Sequence, residues 1–285
     1  MLIDAHTHVF APVQRDGRED MATRDPIFAA IYRDPRAKMA AAAGLREAIA
    51  AAGFDGAVAC GFAFAAQGDI DQQNEHLLTL LDEPARFAVL ATVNPALPGW
   101  RGPAEAALAG GACGFGELRP QDQGWDPLGP AGAALCELAE ARTSVLQWHV
   151  SEPVGHAYPG KAGGISPVEL IQLATAYPRV RMVAAHLGGG ASFYLQMPEV
   201  REAIANVYFD TAALSMLYDE RSVVRLAELA GTQRVLFASD YPLLSPRRQL
   251  EKIHSLLSGE VARAICGGNA GSLFFEIDPG RGDPD

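Results

Sequence analysis

The chain has 285 residues, 49% of them hydrophobic and 20% charged, which suits one α/β barrel with a large buried core. Its formal charge of −11 opposes non-specific attraction to nucleic acid, which needs surplus Lys and Arg, and favours a small-molecule substrate. No apolar run approaches the ~20 residues of a membrane span, and Cys60, Cys113, Cys136 and Cys266 form no C-x-x-C pair, as expected of reduced thiols in a cytoplasmic protein.

The chain opens on MLIDAHTH, a strand expected at residues 2–4 and so early that no secretory signal is expected before it. His6 and His8 lie two apart, so on an extended strand both imidazoles point the same way, as two ligands of one metal must. Asp4 shares their parity and is expected to support them from below. A long segment, 14–35, then separates this strand from an alanine-rich, solvent-facing helix over 37–52. Further strands are expected at 56–61, 87–93, 114–118, 144–150, 181–186, 207–211 and 234–239. Segments with apolar spacing near three to four lie between them, among them 167–176, 220–230 and 247–257. Ser166-Pro167 and Ser245-Pro246 each pair an N-cap serine with proline at the first helical position.

Eight βα units predict a closed (β/α)8 TIM barrel over residues 1–275, with a flexible Gly/Pro-rich tail at 276–285. A doubly wound sheet is the competitor, but the first βα turn lacks G-x-G-x-x-G. Barrel active sites sit at the C-terminal ends of the strands, so the long segments after strands one and five (14–35 and 151–166) are candidates for a lid and a substrate wall.

Those strand ends carry the chemistry. Strand four ends GFGELRP with Glu117, strand five VLQWHV with His149, strand six RMVAAHLGG with His186, and strand eight RVLFASDYP with Asp240. H-x-H alone is a weak signal, and isolated polar residues at strand ends are commonplace. Five strand ends presenting imidazole or carboxylate together are not, because burying such groups unpaired is costly; they point to a shared cation. His76 and His254 fall in helical segments and read as surface or packing residues. Trp148 reads as packing, Asn269 as structural. The glycines after His186 allow a tight turn close to a ligand.

With these residues in place the sequence resembles the amidohydrolase superfamily over almost its whole length and in the right order. IDAHTH, AAHLGG and SDYP look like the branch that includes aminocarboxymuconate-semialdehyde decarboxylase and related small-acid hydrolases. The resemblance implies that His6, His8, His149 and Asp240 bind one divalent metal, commonly zinc, with His186 beside it as a catalytic residue. Glu117 departs from that pattern. Its place is similar to that of the bridging carboxylate of TatD-type nucleases, where His149 and His186 would serve a second ion; a salt bridge to Arg119 is the plainer alternative. One ion or two therefore stays open.

A divalent ion held by imidazoles and a carboxylate leaves a position for water and lowers its pKa to ~7 in favourable cases. Asp240 is then the candidate base, and His186 the group that polarises the substrate or becomes a ligand. Arg119 is the candidate anion clamp, with His156, Tyr158 and Lys161 on the fifth crown loop and Tyr241 as further substrate-binding candidates. The leading expectation is hydrolysis of an amide, ester or lactone in a small carboxylated compound. Non-oxidative decarboxylation, two-metal phosphoester cleavage and a non-enzymatic metal-binding scaffold are the competitors, and a homodimer is compatible with the sequence.

Overall fold

The structure is a computed structural model that describes residues 1–275; the tail 276–285, expected to be flexible, lies outside the described residues. Eight strands pair in parallel in chain order: β1 (Ile3–His8), β2 (Gly56–Cys60), β3 (Arg86–Ala91), β4 (Gly114–Leu118), β5 (Val145–Trp148), β6 (Arg181–Ala184), β7 (Val207–Asp210) and β8 (Val235–Leu236). The seam closes through backbone bonds from Ala5 N–H to the Phe237 carbonyl (2.9 Å), Asp240 N–H to that of His6 (3.1 Å) and His8 N–H to that of Tyr241 (2.6 Å). The molecule is a (β/α)8 barrel.

β1 runs longer than expected and β8 shorter. Beyond Leu236, side chains replace the ladder: Ala238 N–H donates to Thr211 Oγ1 (2.8 Å) and Ser239 N–H to Asp4 Oδ1 (2.9 Å). Outward-facing residues such as Phe87, Phe115, Trp148 and Phe209 pack under the helices. Ile3, Val58 and Leu90 form a second apolar cluster, closed by the final helix.

The segment after β1 is not a loop. It folds into α1 (Pro12–Asp16), α2 (Arg18–Arg24) and α3 (Pro26–Tyr32), before α4 (Ala42–Ala52) starts five residues later than the alanine run suggested. Asp25 caps α3, accepting from Ile27 N–H and Phe28 N–H at 2.9 Å each, and its other oxygen accepts from Ala65 N–H at 2.9 Å. Helices this short are held by tertiary packing rather than propensity. Here Phe10, Phe28, Tyr32, Phe62 and Phe64 supply it as an aromatic cluster, with Tyr32 and Phe62 edge-to-face at 5.4 Å between centroids.

The remaining helices are α5 (Gln67–Leu78), α6 (Arg101–Ala109), α7 (Pro130–Ala141), α8 (Pro167–Ala176), α9 (Pro198–Ala203), α10 (Leu214–Leu217), α11 (Ser222–Ala230), α12 (Pro246–Leu256), α13 (Gly259–Arg263) and α14 (Asn269–Phe274). Ser166 forms a full capping box with Glu169 at the start of α8. Ser245, in contrast, makes no side-chain cap bond to α12. Asn269 is structural as expected, donating to the carbonyls of Thr232 and Val235. Among the described residues no helix is long and apolar enough to cross a membrane.

Candidate metal centre and its cavity

Two bulges aim the site. Along β1 the register against β2 shifts between Asp4 and Thr7, and along β4 the register against β5 shifts between Phe115 and Leu118. An extra residue in one strand reverses the facing of everything after it. On β4, Phe115 and Leu118 therefore both face the helices, and Glu117 turns inward where simple alternation from Phe115 would have turned it out. On β1 the bulge corrects an expectation: Asp4 pairs with Ala57 and Thr7 with Ala59, so Asp4 lies on the face opposite His8. It still braces the site, from the seam, by accepting Ser239 N–H and Ser239 Oγ–H at 2.9 and 2.5 Å. Burial raises the Asp4 carboxyl to about 7 against the pull of those bonds.

The expected donors converge. His6 Nε2 and His8 Nε2 are 3.1 Å apart. Glu117 Oε1 lies 2.8 Å from His149 Nδ1, 3.1 Å from His186 Nε2 and 4.0 Å from His6 Nε2, while its Oε2 is 3.9 Å from His8 Nε2. His149 Nδ1 and His186 Nε2 are 3.1 Å apart, and Asp240 Oδ1 lies 3.6 Å from His8 Nε2. The alternative pairing of Glu117 with Arg119 does not form; Arg119 Nε donates to Asp122 Oδ2 at 2.7 Å.

The outer ring nitrogens determine what the inner ones can be. His8 Nδ1 meets the Gly61 carbonyl at 3.0 Å and His186 Nδ1 the Ala212 carbonyl at 3.1 Å, acceptors that require a proton on each nitrogen. His6 Nδ1 donates to Asp210 Oδ2 at 2.9 Å. In the neutral rings the Nε2 atoms of His6 and His8 thus turn lone pairs toward each other, and His186 Nε2 turns one toward a carboxylate oxygen. His149 Nε2 is buried without a partner among the described residues. Such a set repels itself unless a cation or extra protons intervene. A divalent ion fits it, because ligands about 2.0–2.1 Å from one centre stand roughly 2.9–3.4 Å from each other, which brackets the 3.1 Å between the two β1 imidazoles.

The electrostatics agree. Burial opposes charge on His6, His8 and His186, yet nearby anionic groups hold all three above the ordinary histidine value, His8 at about 9. Burial and the Arg119 charge push His149 down to about 4. Against the cost of burial, His149, His186 and His6 hold Glu117 well below the usual carboxylate range. His186 and Asp240 both adopt left-handed backbone, φ 57° and 61°, strained conformations of the kind that cluster at functional sites.

Sequence reasoning passed over three residues. Asp210, buried at the end of β7, accepts His6 Nδ1–H and Gln147 Nε2–H on Oδ2 and, on Oδ1, His186 N–H at 2.9 Å and Ala212 N–H at 3.0 Å. The rule that singled out the other strand ends would have found it. Tyr32 reaches the site from α3, which no local pattern revealed. Cys60 lies 3.5 Å from His8 Nδ1, on the outer edge of that ring.

Above the donors opens a cavity of about 480 Å³, lined by Glu117, His149, His186, Asp240 and His8 and walled by Tyr32, Phe62, Met216 and Leu217. Arg119, His156 and Tyr158 also line it. Arg119 is strapped to the fifth crown loop, its Nη2 donating to the carbonyls of Gly160 and Ala162, so fewer of its donors face a ligand than a free clamp would offer. Lys161 and Tyr241 do not line the cavity. Lys161 Nζ caps the carbonyls of Val154 and His156. Tyr241 follows Asp240 on the opposite face, its hydroxyl toward Gly44 of α4. The glycine turn after β6 does approach closely, but to protein. Gly188 and Gly189 have φ of 70° and 58°, and a Cβ would meet the Phe209 ring and the Ser151 backbone at 2.8 Å.

The sequence pattern of the amidohydrolase family matches residues 3–275. The chain belongs to that family. No curated protein matches it in sequence. Among solved structures it is similar to 5-carboxyvanillate decarboxylase from Sphingomonas paucimobilis, with a TM-score of 0.75 and 19% identity over 96% of this chain and 98% of that one. It is similar also to the 5-carboxyvanillate decarboxylase of Novosphingobium aromaticivorans complexed with manganese and 4-hydroxy-3-methoxy-5-nitrobenzoic acid (TM-score 0.76, 18% identity, 96% of each chain). A third is a Polaromonas dihydroxybenzoic acid decarboxylase with manganese and 2-nitroresorcinol (TM-score 0.72, 15% identity, 96% of each chain). At these identities the likeness establishes the barrel, and the site chemistry rests on this chain's own residues.

Proposed function

We propose that the protein is a metal-dependent, non-oxidative decarboxylase of a small planar carboxylic acid, in preference to the hydrolase suggested by the sequence alone. The observation that carries this reading is the convergence of four imidazoles on Glu117 beneath a cavity of about 480 Å³. That it occurs in a barrel similar over 96% of its length to decarboxylases supports the reaction class.

His6, His8, His149 and Asp240, with Glu117, would hold one divalent ion; manganese is favoured because two of the similar decarboxylases carry it, and nitrogen and oxygen donors suit zinc as well. When bound, the ion supplies the positive charge that fixes the substrate's carboxylate and an adjacent oxygen. Asp210 holds His6 in the required tautomer and sets the backbone of His186. His186 Nε2 faces the reacting oxygens. Asp240, at the cavity wall, delivers a proton to the carbon that bears the carboxylate. As that C–H bond forms, the bond to the carboxylate breaks, its electron pair restores the ring, carbon dioxide leaves and solvent returns the proton to Asp240. Tyr32 and Phe62 form the apolar wall beside the site.

Metal-loaded protein given a panel of hydroxybenzoates in deuterium oxide should release carbon dioxide and leave one deuterium at the vacated carbon. Cleavage of esters, amides or lactones with no carbon dioxide from any acid would contradict the proposal and return the hydrolase reading.

A further inference from the structure

Tyr32 is the one phenol that α3 carries into the cavity beside Glu117 and Asp240. Its ring is fixed on three sides: Phe10 at 5.0 Å, Phe28 at 5.1 Å and Phe62 at 5.4 Å between centroids. The hydroxyl that this packing positions is bonded to no other described residue and is open to the cavity rather than sealed in the core, so it is free to meet what enters there. Burial and the Asp240 charge, with a smaller share from Glu117, keep it protonated far above neutrality against the opposing pull of Arg119. It is therefore a donor with no acceptor in the protein, free to bond water or an incoming ligand oxygen. An anionic oxygen bound to a cation is an acceptor that tolerates the two carboxylates nearby.

Phe62 stands perpendicular to Tyr32 and also faces the cavity. A flat ring seated against Phe62 would lie beside Tyr32. The contrast with Tyr158 is informative: that phenol also borders the cavity, but its hydroxyl already donates to Glu152 Oε2 at 3.4 Å.

Building on the decarboxylase reading, we infer that Tyr32 is a substrate-binding residue. Its phenol donates a hydrogen bond to the phenolate or carboxylate oxygen of an aromatic acid whose ring lies against Phe62. This narrows the substrate class to aromatic acids with an oxygen substituent near the reacting carboxylate. It also assigns the first crown segment, not the fifth crown loop, as the reader of that substituent.

The test is an absorbance titration of manganese-loaded protein with 2-nitroresorcinol, a coloured nitrophenol, in the parent and in Tyr32→Phe and Phe62→Leu variants. Tyr32→Phe keeps the ring packing and loses only the hydroxyl, so its metal content should be unchanged while nitrophenol affinity falls about 10- to 100-fold, the range for a hydrogen bond to a charged acceptor. Phe62→Leu should weaken binding by a smaller factor. Affinity within twofold of the parent in Tyr32→Phe would overturn the assignment, as would a parent that keeps manganese and binds no nitrophenol. Because binding is read without turnover, the decarboxylase proposal stands or falls separately, on carbon dioxide release.

Discussion

His6 and His8 leave a single strand, and each has its outer nitrogen tied down, one to the buried carboxylate of Asp210 and the other to the Gly61 carbonyl. His149 and His186 come from neighbouring strands and meet across Glu117, and His149 has no partner at its outer nitrogen. The first pair is thus fixed by the barrel whether or not a cation is present. In the second, His186 is likewise tied by Nδ1 to the Ala212 carbonyl, and His149 alone is held only by the carboxylate that the cation would share. Rigid donors on one side and a carboxylate-centred group on the other make a site in which loss of a ligand has different consequences on the two sides.

His6→Ala should show the largest effect. It removes a metal donor and the imidazole partner of fully buried Asp210, which keeps three other donors, so denaturant unfolding should report a loss of about 2 kcal/mol together with loss of the metal. His149→Ala should lose the metal on dialysis yet unfold near the parent midpoint, because Glu117 keeps its bond to His186. Equal destabilisation by the two changes would erase the contrast.

Asp210→Asn comes next. Each oxygen of Asp210 accepts from two donors, so either orientation of an amide turns its NH2 against N–H groups. Metal affinity should fall about 10- to 100-fold, as for other outer partners of ligating histidines, measured by competition with a chelator. An unchanged affinity would show that the tautomer of His6 is not held by this carboxylate.

Ser239→Ala should be smaller, about 1–2 kcal/mol of stability from one lost donor to buried Asp4, with metal content intact because Asp4 faces away from the imidazoles. The smallest effect separates two serines that look alike in sequence. Ser166→Ala should cost about 1 kcal/mol in thermal or denaturant unfolding, and Ser245→Ala close to nothing, because only Ser166 makes its cap bond.

Most of the centre was legible because each donor interrupts an apolar run at a strand end, where alternation and barrel topology suffice to place it. Glu117 faced the mouth for a reason the sequence did not display, the bulge at Gly116–Glu117. The same kind of shift on β1 moved Asp4 to the other face. Tyr241 could have been read correctly, since a residue adjacent to Asp240 belongs on the opposite side. The helices at 12–32 escaped detection because five- to seven-residue helices carry too few turns to show a period, and their stability comes from Phe10, Phe62 and Phe64 elsewhere in the chain. Tyr32 was hidden with them. A residue that enters a site by the docking of a crown segment leaves no local trace.

The most direct test is anomalous diffraction at the manganese edge from crystals grown with Mn²⁺. The account predicts one strong peak per chain, bonded to Nε2 of His6 and His8 and to the Glu117 carboxylate, and its disappearance in His149→Ala. A barrel mouth with no peak at saturating manganese, or a peak bonded to none of these residues, would contradict it.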